Sequence, residues 1–182
     1  MMVLAISGSL RRSGSNAALL GAAAALAPSN CPVMRFEGLA RLPAFDPDEE
    51  EAGRLPAEVA AFREKVAGAS ALLVSCPEYA HGIPGAFKNA LDWLVGDGRF
   101  AGMPVALWNG APRAVHAPAQ LREVLSTMAA RIVEPACVTI PVPSGAGAAD
   151  LLANRAVAGE LAAALGRLVE AARVRAEDTA GR

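Results

Sequence analysis

The chain has 182 residues and a mass of 18.6 kDa, enough for one α/β-sized domain and one core. Hydrophobic residues make up 53%, which excludes a disordered chain, and the net charge of −1 excludes nucleic-acid binding by bulk electrostatics. Only 4% is aromatic, so the core is aliphatic, and the three cysteines are too few and too scattered for a disulfide framework.

The start, MMVLAISGSL, has no basic leader region, and no run of uncharged apolar residues is long enough to span a membrane. A soluble, cytoplasmic protein is expected. Residues 3–7 form a short apolar run that ends in a glycine, the pattern of a buried strand. A helix follows over 16–26, a second strand over 33–36 and a second helix over 56–67. Between them, FDPDEEEAGRLPAE at 45–58 reads as a solvated acidic surface loop, with Pro56 opening the helix. ALLVSC at 71–76 is the clearest buried strand. A helix over 85–95, a strand over 104–108 and a helix over 119–130 come next. A weaker fifth strand over 132–140 is interrupted by Pro135. One long helix over 148–174 closes the pattern, with Val157, Leu161, Leu165, Leu168 and Ala172 on one stripe. Five strands alternating with helices predict a doubly wound parallel sheet, with helices on both faces. Ligands bind such sheets at the carboxyl ends of the strands, so three loops matter.

The first is GSLRRSGSN at 8–16. It leaves a strand and opens a helix, carries hydroxyls at Ser9, Ser13 and Ser15, and has Asn16 and two arginines. Backbone N–H groups at a helix start, with Arg11 beside them, suit one phosphate. Neither a P-loop nor a dinucleotide GxGxxG is present. The plainer reading is a polar turn in which Ser15 or Asn16 caps the helix. The second loop, at 75–93, is rich in proline and glycine and holds Tyr79, the only tyrosine. An aromatic ring there can flank a planar ligand. His81 is an acid candidate or an ordinary surface residue, and Lys88 and Asp92 are spaced to pair across a turn. Cys76 reads as a packing residue. The third loop, at 108–118, presents Asn109, Gly110 and Ala111, while His116 reads as a capping or exposed residue. No cysteine spacing suggests zinc, and no metal site is read from the sequence.

Two stretches together carry a family resemblance: GSLR at 8–11 with Asn16, and PEYxxGxPGxxKNAxDW across 77–93. The chain resembles the NADPH-dependent FMN reductase family, with the sequential match running over roughly 1–130 and the last helix fitting by position. The resemblance implies a flavodoxin-like sheet of order 2-1-3-4-5 over one domain, residues 1–182. It implies non-covalent FMN, NADPH or NADH as donor, and a flavin, quinone, azo, nitro or chromate-type small-molecule acceptor. It implies a homodimer or homotetramer, without nucleic-acid or membrane partners. Ser9, Arg11, Ser13, Ser15 and Asn16 would meet the FMN phosphate. Pro77, Glu78, Tyr79, His81 and Gly82 would line the ring and ribityl, with Tyr79 and His81 shaping the acceptor pocket. Asn109, Gly110 and Ala111 would close the other side. Two departures stand out. Gly14 occupies a place where relatives often carry serine. Ala111 lacks a hydroxyl relatives often have, so its backbone N–H would have to serve. Leu91, Trp93 and Leu94 fit an oligomer interface or the core equally well. A flavodoxin-like electron carrier and a flavin-binding sensor are the alternatives to an enzyme, although carriers are usually far more acidic.

Overall fold

The computed structural model describes residues 1–180. Its centre is a parallel sheet of β1 (Val3–Ser7), β2 (Val33–Arg35), β3 (Ala71–Ser75) and β4 (Pro104–Asn109), continued by the short β5 (Arg131–Ile132) and β6 (Val138–Thr139). The order is β2-β1-β3-β4-β5, with β6 also on β4, so the sheet is flavodoxin-like as expected. Ser7 lies opposite Ser75 at the carboxyl end of the β1–β3 pair. β3 is buried at every position, which is why it reads as an unbroken apolar run.

Alternate strand residues serve two cores. Val3, Ala5, Leu73, Ala106 and Trp108 face α1 (Ser15–Leu26), α6 (Ala148–Ala153) and α7 (Arg155–Ala180). Leu4, Ile6, Leu72, Val74, Val105 and Leu107 face α3 (Ala57–Ala67), α4 (Gly85–Val95) and α5 (His116–Thr127). The stripe of Leu161, Leu165, Leu168 and Ala172 lies in the first core. Leu91, Trp93 and Leu94 are all buried in this single chain, so core packing accounts for them without an interface.

The structure amends four sequence expectations. The fifth strand is two pieces. Pro135 sits in a single 3-10 turn over Glu134–Ala136, because it has no N–H for a ladder. β5 then pairs the start of β4 and β6 its end. The buried Trp108 indole bridges the gap by donating to the Ala136 carbonyl at 2.9 Å. The long C-terminal helix breaks at Asn154, whose Oδ1 accepts from the N–H groups of Ala156 (3.1 Å) and Val157 (3.3 Å) and caps α7. α5 starts at His116, earlier than the periodicity shows. The acidic segment contains a short helix, α2 (Pro47–Glu51), capped by Asp46. Glu50 turns inward from it to the Arg63 guanidinium at 2.6 Å, so this residue is no part of a solvated face.

Candidate functional site

Three loops meet above the carboxyl ends of β1, β3 and β4. The first turns close to β3: a Cβ on Gly8 would lie 2.6 Å from the Cys76 sulfur, so only glycine fits. Burial pushes the Cys76 thiol up to about 12, which leaves it protonated and packed rather than nucleophilic. Ser7 and Ser9 then lock the turn. The Ser7 hydroxyl donates to the Ser9 carbonyl (3.0 Å), and the Arg11 N–H donates to the Ser9 hydroxyl (3.1 Å).

Gly14 immediately precedes α1, and its φ of 121° is open to glycine and strained for other residues. The expected side-chain cap by Ser15 or Asn16 is not there. No side chain caps α1, and Asn16 instead accepts from the buried Ser75 hydroxyl at 2.9 Å, tying the helix to β3. The first-turn N–H groups of α1 therefore have no partner in the protein among the described residues. They open on a cavity of about 330 Å³ whose walls include Ser9, Arg11, Ser13, Ser15, Asn16, Pro77 and Tyr79. The Tyr79 hydroxyl lies 3.3 Å from the Ser9 hydroxyl and joins the first loop to the second. Unclaimed helix N–H groups, hydroxyls and one guanidinium are the donor set a phosphate ester needs, so these residues fit FMN at its phosphate end.

The second loop is a tight hairpin turn. Tyr79 and Gly82 exchange both backbone hydrogen bonds (3.0 and 2.9 Å), with Ala80 and His81 between them at φ 49° and 58°. Two successive left-handed residues mark a type I′ turn, which favours Asn and Gly. Ala80→Asn should therefore stabilise the protein by about 0.5–1 kcal/mol, visible as a higher Tm; an unchanged or lower Tm would mean the turn is not strained at Ala80.

Glu78 does not reach the cavity. Its Oε2 accepts from the N–H groups of His116 (2.7 Å) and Ala117 (2.9 Å), so it caps α5 from another loop. Those bonds hold its carboxyl below the usual range. This distant cap accompanies a start of α5 earlier than the apolar periodicity shows. His81 lies outside that cavity, stacked on His116. In the third loop Gly110 is buried, and Asn109 makes the turn by accepting from the Ala111 N–H at 2.9 Å. That N–H is thus already engaged, contrary to the role expected for it.

A second cavity, of about 620 Å³, adjoins the first and shares Ser9 and Arg11 with it. Arg12, Arg35 and Arg41 also line it, against one acid, Glu37. The sequence reading missed this grouping. Only one part of it was legible, Arg35 at the end of a parallel strand, where ligands bind; the grouping itself comes from the fold.

A family model described as NADPH-dependent FMN reductase matches residues 1–143. The chain belongs to this family. Among individual relatives, the quinone reductase of Escherichia coli K12 is 32% identical over 109 residues, covering 59% of this chain and 58% of that protein. The NADPH:quinone oxidoreductase of Arabidopsis thaliana is 36% identical over 115 residues, covering 62% and 55%. The chain thus matches little more than half the length of these relatives. Among solved structures, the flavoenzyme NAD(P)H:(acceptor) oxidoreductase of Paracoccus denitrificans superposes with a TM-score of 0.70 over 93% of this chain and 97% of its own, at 20% identity. That likeness is one of fold. Among the described residues no helix is long and apolar enough to cross a membrane.

Proposed function

We propose that this family member binds FMN at the α1 cavity and uses it to pass electrons from NAD(P)H to a quinone-type acceptor. The observation that carries the reading is the uncapped start of α1, aimed into a cavity with Arg11 and three serines. When bound, the flavin supplies the hydride-accepting and hydride-donating chemistry. The protein's own share is position. Ser9, Arg11, Ser13 and Ser15 bind the phosphate end, while Pro77 and Tyr79 wall the cavity beyond it. No acid is required of the chain for such transfer, which asks chiefly for stacking and orientation. The quinone class is supported by the names of the two relatives above; flavin, azo, nitro and chromate acceptors belong in the same screen. A reducing, cytoplasmic setting suits three free cysteines, and a homodimer or homotetramer is part of the proposal, checked by light scattering.

The test is an absorbance spectrum after FMN loading and desalting, then anaerobic NADPH. A retained flavin band that NADPH bleaches supports the enzyme. A retained band that NADPH leaves intact makes the protein an electron carrier. No retained band overturns the FMN assignment.

The arginine-lined cavity is where we assign the phosphate-bearing tail of NADPH. Arg12 and Arg41 have no ion-pair partner among the described residues, whereas Arg35 pairs with Glu37 at 3.4 Å. The double change Arg12→Ala with Arg41→Ala should raise KM for NADPH about tenfold, the loss of one charge-assisted hydrogen bond, with KM for NADH unchanged. An unchanged KM for NADPH would remove this cavity from donor binding.

A further inference from the structure

The chain has two histidines, and the fold brings both to one place. His81, in the turn after β3, and His116, at the start of α5, stack with ring centroids 4.3 Å apart and planes 11° from parallel. Glu78 joins them: one ligand atom from each of Glu78, His81 and His116 falls within 4.8 Å of the others. We propose that these three residues bind a divalent transition cation of borderline softness, such as Zn²⁺, Ni²⁺ or Cu²⁺. This site is separate from the phosphate cavity and does not depend on the flavin reading.

The donor chemistry is specific. Two imidazoles and a carboxylate suit this class of ion, whereas Mg²⁺ and Ca²⁺ prefer oxygen alone. The ligands are also held. Glu78 uses only Oε2 for its two bonds to backbone N–H groups, so Oε1 carries neither and the carboxylate is oriented from behind. His81 is fixed at a left-handed backbone position inside a doubly hydrogen-bonded turn. A tetrahedral ion with bonds of about 2.1 Å needs its ligand atoms roughly 3.4 Å apart. Ion binding therefore requires the imidazoles to rotate from their stacked positions, and both rings are exposed. Glu78 also offsets the unfavourable meeting of a cation with the positive end of α5. Because both histidines face solvent, the remaining coordination positions are open to water or to an oxygen-bearing small molecule.

The experiment titrates Zn²⁺ calorimetrically, and Co²⁺ by its visible absorption, into the untagged, chelator-treated chain with and without FMN. One ion per chain at micromolar affinity is expected, with the Co²⁺ band intensity of a four- or five-coordinate site. His81→Ala and His116→Ala should each weaken binding by about tenfold or more, and Glu78→Gln should weaken it too. All three sites are on loops or at a helix start, and circular dichroism checks that each variant folds. Absence of saturable binding would overturn the proposal. So would affinity unchanged in the double histidine variant, which would assign the ion to the cysteines or to scattered carboxylates. Loss of FMN binding with Zn²⁺ binding intact would overturn the flavin reading and leave this one standing.

Discussion

Ser15→Asp should weaken FMN binding by about a hundredfold, some 3 kcal/mol, while leaving Tm unchanged or slightly raised. Ser15 is the first residue of α1 and lines the cavity that its free N–H groups face. A carboxylate there sits beside those N–H groups and interacts well with the helix dipole, a gain of about 0.3–1 kcal/mol for the fold. The same carboxylate competes for the phosphate's donors and repels its charge, and Arg11 is then shared between two anions. The change thus moves stability and cofactor affinity in opposite directions, which a merely disruptive substitution would not. Flavin fluorescence titration measures the first effect and thermal unfolding the second. FMN affinity within a few fold of the parent would show that the phosphate is held elsewhere.

Glu50→Ala should cost about 3 kcal/mol of stability, a drop in Tm of about 10 °C. Arg63 is a core-facing residue of α3, and its side chain is only 8% exposed. Its guanidinium donates to the Trp93 carbonyl at 2.7 Å and to both Glu50 oxygens at 2.7 and 2.6 Å. Without Glu50 a buried charge keeps one direct partner, the neutral Trp93 carbonyl, and the more distant charge of Asp97. The loss comes from that stranded charge more than from the bond itself, so Arg63→Met in the Glu50→Ala background should recover part of it. Urea unfolding of the two variants decides the matter. A loss below about 1 kcal/mol for Glu50→Ala would mean that the pair behaves as a solvated one.

Tertiary effects like this one had no local signal. FDPDEEEAG looks like any acidic loop, and nothing nearby says that one of its glutamates meets a buried arginine. Glu78 is a second case. Its motif position suggests a ligand contact, yet its carboxylate caps α5 at His116. The Ala111 N–H is a different case: the Asn109 side chain two residues away claims it in a local turn that the residue type allows. Other features were legible but read too smoothly. Pro135 marked the break between β5 and β6, and Asn154 has the residue type and position of a cap for α7, but a continuous apolar stripe masked it.

The sequence by itself determined the strand and helix alternation, the parallel sheet, the family and the donor-rich loop on which the phosphate site is proposed. These rest on local physics: apolar runs too short for helices, turn residues at strand ends, and hydroxyls with an arginine at a helix start. Only the tertiary structure decided that α1 goes uncapped, that four arginines share one cavity, and that His81 and His116 stack beside Glu78. Each of those depends on which loops the strand order brings together. Side chains far apart in the chain become neighbours when β1, β3 and β4 end at the same edge of the sheet, and no local pattern records that.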